Sequence, residues 1–141
     1  MTGLMRILAI DYGQKRIGLA VSDLLGLTAQ GIKTIQNLGK KQVIAELLKI
    51  CKEYEVAEIV IGLPVNMNGS LGPKAAEIIN LIPVMEKELN LPIKTWDERL
   101  TSREAGRLMI KEGLSRDRQK ENSDRLAATL ILQMVLESRR R

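Results

Sequence analysis

The spacing of hydrophobic positions changes several times along the chain, and each change marks an element. Met5 to Ile10 is a mostly apolar run closed by Asp11, which predicts a buried strand ending at a polar residue. Arg16 to Ser22 predicts a second strand, joined to the first by a tight Tyr12-Gly13-Gln14-Lys15 turn. Ala29 to Ile35 predicts a third, weaker strand, with Asn37 to Gly39 as punctuation. The period then becomes helical: Val43, Ile44, Leu47, Leu48 and Cys51 predict an amphipathic helix over Lys40 to Tyr54. Glu58 to Leu63 returns to a buried strand, ended by Pro64 and the polar loop Asn66-Met67-Asn68-Gly69-Ser70.

Leu71 to Asn90 is helical again through Ile78, Ile79, Ile82, Met85 and Leu89, with Pro83 expected to kink or divide it. Pro92 to Asp97 predicts a last short strand, followed at once by Glu98. Thr101 and Glu104 match a capping box that opens a helix to about Lys111, stopped by Gly113. Leu114 to Asn122 is charge-rich and predicts a loop. A final helix from Ser123 is expected to bury Leu126, Ala127, Leu130, Ile131 and Met134 before it ends in Arg139-Arg140-Arg141. Three strands followed by helix, strand, helix, strand and two helices predict an α/β fold. Its sheet is five-stranded and mixed, with three antiparallel strands and then parallel ones, flanked by helices. In such sheets ligands gather at the carboxyl ends of the parallel strands.

Composition narrows the chemistry. The 141 residues suit one domain, and no uncharged run is long enough to cross a bilayer, so a cytoplasmic protein without membrane contact is expected. The absence of histidine removes Ser-His-Asp and Cys-His catalysis and any His-bound metal. The single Cys51 excludes a disulfide framework and falls among the apolar positions of a helix. Hydrolysis would therefore use carboxylates, hydroxyls, Lys or Arg. A net charge of +5 suits a polyanionic partner. With only Tyr12, Tyr54 and Trp96 as aromatics, a nucleic acid would be recognised through duplex shape and phosphates rather than by stacked single-stranded bases.

Three carboxylates stand where such a site would form. Asp11 ends the first strand, Glu98 ends the last, and Asp124 lies in the first turn of the final helix. Clustered carboxylates repel one another unless a cation neutralises them. Magnesium or manganese does so through oxygen ligands, and two such ions can serve phosphodiester cleavage. Each residue also has an ordinary reading. Asp11 can open a β-turn, Glu98 can pair with Arg99 or Arg103, and Asp124 can face a helix dipole. Residue spacing leaves both readings open.

Four segments resemble one family. Asp11-Tyr-Gly-Gln-Lys-Arg-Ile-Gly18-Leu-Ala-Val-Ser-Asp23 resembles the opening motif of the YqgF family, also called RuvX. Gly62-Leu-Pro-Val-Asn-Met-Asn-Gly69-Ser and Asp97-Glu98-Arg-Leu-Thr-Ser102 are similar to its central motifs, and Asp124-Arg-Leu-Ala-Ala128 with Ile131-Leu132-Gln133 to its last. The segments follow the family's order across nearly the whole chain. Ser123 stands where the family usually has an aliphatic residue, and Asn68 where Asp is frequent; neither is a proposed ligand.

The resemblance implies an RNase H-like domain over residues 1–141 and a nuclease for the 5′ end of pre-16S ribosomal RNA. It also implies likeness to Holliday junction resolvases. It maps the acidic, metal-binding site onto Asp11, Glu98 and Asp124, with Mg2+ or Mn2+ as cofactor. Beside that site, Lys15, Arg16, Arg99, Arg103 and Lys120 are candidates for nucleic-acid contact, with Arg116 and Arg118 in the same charged run. Solvated turn or loop charges are the ordinary reading of these residues. The expected partner is structured nucleic acid, pre-ribosomal RNA or branched DNA, bound by a monomer or homodimer. Cutting both strands of a junction would require a symmetric dimer. Two other classes compete: a non-catalytic factor that binds ribosomal RNA, and a phosphate-binding relative of the actin and sugar-kinase folds. The latter would lack a second domain here. The glycines before Lys74 do not match a P-loop.

Overall fold

Along β1 (Arg6–Tyr12), Leu8, Ile10 and Tyr12 are buried in one apolar cluster and the alternating Ile7 and Ala9 in another. A strand buried on both faces must lie between two layers. The computed structural model describes residues 5–100 and 116–140, without the side chains of 100 and 116–124, and it supplies those layers. β1 pairs antiparallel with β2 (Arg16–Ser22), which pairs antiparallel with β3 (Ala29–Gln36). On the other edge of β1, β4 (Val56–Leu63) runs parallel, and β5 (Ile93–Asp97) runs parallel to β4. The order β3-β2-β1-β4-β5 is the expected mixed five-stranded sheet.

One face is covered by α1 (Lys40–Glu53) and α2 (Pro73–Leu89), which bury Val43, Leu47, Ile50, Ile78, Leu81 and Met85. The other is covered by α3 (Arg116–Arg140) through Ala128, Ile131, Leu132, Val135 and Leu136. Each large side chain enclosed this fully contributes ~1.5–3 kcal/mol. Cys51 is buried in the first cluster, as its helical position suggested. Among the described residues, no helix is long and apolar enough to cross a membrane.

Several local expectations need correction. β1 extends to Tyr12, so Asp11 lies inside the strand opposite Gly18 rather than after it. The hairpin pairing continues to Tyr12–Ile17, and the turn is closed by the Gly13 N–H on the Arg16 carbonyl. A Cβ on Gly13 would lie 2.4 Å from that carbonyl oxygen, so glycine is required there. Pro83 does not divide α2, because buried Leu81 and Met85 hold both sides of it against the core. The segment from Arg116 is helix, not loop. It has no apolar stripe, but Arg, Gln, Lys and Glu extend a helix at little cost once its later turns are anchored.

The buried face of α3 is also rotated from expectation. Leu126, Ala127, Leu130 and Met134 are only partly buried, while Ala128, Leu132, Val135 and Leu136 are enclosed. The apolar band is wide enough to fit either phase, and contact with the sheet selects one. The capped helix expected over residues 101–111 lies outside the described residues.

Candidate metal and active site

β1, β4 and β5 are parallel, so their carboxyl ends share one edge of the sheet. Asp11 is the penultimate residue of β1, and Glu98 begins a single 3-10 turn, Glu98–Leu100, directly after β5. β4 separates them. Its register pairs Ile10 with Ile61 and Trp96 with Gly62, which sets Asp11 level with Gly62. Strand alternation gives Asp11 the parity of Ile7 and Ala9, and Gly62 that of Val60, on the α3 face.

Gly62 is what lets the carboxylates meet. A Cβ there would lie 2.9 Å from Glu98 Cγ, 3.1 Å from Glu98 Cδ and 2.8 Å from Ile131 Cδ1. The Glu98 side chain therefore lies across the bare backbone of β4, and its carboxyl group is hydrogen-bonded to that of Asp11. Burial, the hydrogen bond to Glu98 and the Glu98 charge push the Asp11 carboxyl up to about 8, opposed by the nearby Lys74 ammonium. Two carboxylates this close hold a proton between them when no cation is present.

The donor set fits a hard divalent cation. It is made of oxygens, desolvated and electrostatically frustrated; the sequence has no histidine, and its one cysteine, Cys51, is buried in the first cluster. Among the described residues, no group of three or more His, Cys, Asp or Glu is placed to hold a metal. The third expected ligand, Asp124, has its backbone in α3 four residues before buried Ala128, and its side chain lies outside the described residues.

The basic candidates are placed differently from one another. Lys15 is exposed in the turn after Asp11, and Arg16, half buried, opens β2. Arg99 grips Asp97: Nε donates to Oδ1 at 3.1 Å and Oδ2 at 3.0 Å, and an Nη donates to Oδ2 at 2.7 Å. Its other Nη donates to the carbonyls of Asn66 at 3.4 Å and Met67 at 3.3 Å. Arg99 thus ties the loop after β4 to the end of β5. That loop is also braced internally, with Ser70 N–H and Oγ both donating to Asn68 Oδ1. Arg103 lies outside the described residues, as do the side chains of Arg116, Arg118 and Lys120.

Sequence reasoning missed Gly62, Lys74 and the Asp97–Arg99 grip. Gly62 had one signal, a glycine inside an otherwise apolar strand, which marks a close approach. Lys74 had none, because its nearness to Asp11 depends on how α2 docks.

A sheet of this order, with acidic residues at the ends of its first and last strands, defines the RNase H-like fold of resolvases and related nucleases. The fold is shared with Thermus thermophilus RuvC in complex with Holliday junction substrate (TM-score 0.60, 18% identity, 96% of each chain). It is also shared with the Fowlpox virus resolvase bound to Holliday junction DNA (TM-score 0.61, 15% identity, 97% of this chain and 100% of the other). The chain belongs to the RuvX family, whose model, described as Holliday junction resolvase, matches residues 5–138. A Clostridium kluyveri relative named "Putative pre-16S rRNA nuclease" is 50% identical over 133 residues, covering 94% of this chain and 97% of the relative. A Clostridium novyi relative of the same name is 50% identical over 134 residues, covering 95% and 99%.

Proposed function

We infer that this chain is a metal-dependent endonuclease that processes the 5′ end of pre-16S ribosomal RNA in the cytoplasm. The observation that carries the reading is the Asp11–Glu98 carboxyl pair, seated over Gly62 at the carboxyl edge of a resolvase-type sheet. Asp11 and Glu98 hold Mg2+ or Mn2+, and Asp124 completes the ligand set from the helical face that carries Ala128 and Ile131. An ion bound there supplies an activated water and charge stabilisation at the scissile phosphate. Lys74 offsets part of the negative charge of the pair. Lys15, Arg16, Arg103 and Lys120 bind flanking phosphates, while Arg99, already engaged with Asp97, positions the loop over residues 66–70.

A second reading, cleavage of branched DNA, is favoured by the family description and by junction-bound structures of the same fold. It requires a homodimer, because two strands are cut symmetrically.

The test incubates wild type and Asp11→Asn with a precursor 16S 5′ leader and with a four-way DNA junction, in Mg2+ or Mn2+. The inference expects wild type to cut the leader at a defined position and Asp11→Asn to lose at least ~10²-fold in rate, as when a principal electrostatic group is removed. Junction cutting alone, by a dimer, would transfer the assignment to branched DNA. Equal cutting by both proteins would sink the site. No cutting of either substrate would leave a ribosomal RNA-binding factor.

A further inference from the structure

A concavity opens at the same sheet edge, on the face opposite the carboxyl pair. It has a volume of about 570 Å³, within the ~300–1,000 Å³ typical of small-molecule sites, and lies between the starts of α1 and α2. Tyr12, Pro73, Ala76 and Leu81 form its apolar wall, and Tyr12 and Leu81 are 8% and 7% exposed. Asn37 locks that wall in place. Its Nδ2 donates to the Gly13 carbonyl at 2.8 Å, and its amide is hydrogen-bonded to the Tyr12 phenol. Lys40, Glu77 and Asn80 complete the lining, and among the described residues no side-chain hydrogen bond or ion pair engages any of the three.

This lining discriminates between ligand classes. Glu77 opposes a simple anion, and the polar groups oppose a purely apolar ligand. A planar ring against the Tyr12 side, N–H groups for the carboxylate, an amide contact and a phosphate for Lys40 together describe a nucleotide. Guanine fits Glu77 best, because its Watson–Crick edge offers adjacent N1–H and N2–H donors that a carboxylate accepts as a pair, whereas uracil offers one N–H. The location adds to the case. Tyr12 follows Asp11 directly, its Cα ~3.8 Å away, and strand alternation sends the two side chains to opposite faces of one edge.

We propose that the cavity between α1 and α2 receives one unpaired nucleotide of the substrate strand, with guanine preferred, next to the phosphate held at Asp11 and Glu98. The proposal rests on the nuclease reading for its substrate, but nucleotide binding can be measured without cleavage.

Wild-type protein in chelator is titrated with GMP, UMP, guanosine and inorganic phosphate and followed by amide NMR shifts. GMP should shift Tyr12, Asn37, Gly39 and Asn80 and bind at least fivefold more tightly than UMP. Glu77→Gln should bring GMP down to the UMP level, and Lys40→Ala should remove the advantage of GMP over guanosine. Both side chains are exposed, so neither change threatens folding. No shift at these residues with millimolar GMP would overturn the proposal. So would a GMP preference unchanged in Glu77→Gln, or phosphate binding as tightly as GMP. Cleavage without GMP binding refutes only the pocket, and GMP binding without cleavage refutes only the nuclease.

Discussion

Replacing Gly62 with alanine separates the cost to the fold from the cost to the chemistry. The added Cβ would stand 2.9 Å from Glu98 Cγ, whereas ordinary contact begins at 3.4 Å, so Glu98 must withdraw by about 0.5 Å (3.4 minus 2.9). The same Cβ meets Ile131 Cδ1 at 2.8 Å. Both neighbours are side-chain atoms rather than backbone, so the fold yields cheaply, at about 1 kcal/mol, the low end of overpacking costs. For a chain of this size that is roughly a 3–5 °C loss in Tm. The chemistry yields dearly, since a ~1 Å misplacement of a catalytic group costs on the order of 10²-fold. Gly62→Ala should therefore lose ~10- to 100-fold in single-turnover cleavage of the leader. Adding Ile131→Val removes the Cδ1 clash and should recover Tm but not rate. A Gly62→Ala protein that melts early yet cuts within twofold of wild type would refute the seating of Glu98 on β4.

The raised Asp11 carboxyl makes metal-free stability depend on pH. Because the folded state binds this proton more tightly than the unfolded state, its contribution is full below 3.8 and is lost as pH rises through about 8. Thermal melts in chelator should fall by several degrees between pH 5 and pH 8.5, Asp11→Asn should flatten that slope, and a slope of opposite sign would contradict the pairing. Arg99→Ala should leave Tm nearly unchanged but speed amide exchange over residues 66–70, since the guanidinium links that loop to Asp97. Unchanged exchange there would show that the loop holds itself. Pro83→Ala should stabilise by ~2–2.6 kcal/mol, because a proline inside a continuous helix costs about 3 kcal/mol and restricting the unfolded chain returns ~0.4–1. Destabilisation by urea melt would mean that α2 relies on a bend at Pro83.

Strand positions were legible because period-two and continuously apolar runs have few alternatives once turns such as Tyr12-Gly13 punctuate them. The convergence of Asp11 with Glu98 was legible from the rule that parallel strands end together, and the family motifs chose the metal reading over the surface one. The phase of α3 was not, since Leu126 through Leu136 offers apolar residues on most of its circumference and only docking decides which are enclosed. The start of α3 at Arg116 was hidden because a run of charged and polar residues has no apolar period to detect. Arg99 shows a different limit. Its sequence neighbours Asp97 and Glu98 are both possible partners, and only the geometry of the 3-10 turn selects Asp97.

The central claim, that Asp11 and Glu98 form one cation site, is tested most directly by calorimetric titration of Mn2+ at pH 7 in buffers of different ionisation enthalpy. A carboxyl raised to about 8 is largely protonated at that pH, so binding should release close to one proton per ion in wild type. Asp11→Asn and Glu98→Gln should each abolish both the binding and the release. Mn2+ binding that releases no proton, or that survives unchanged in both variants, would contradict the account.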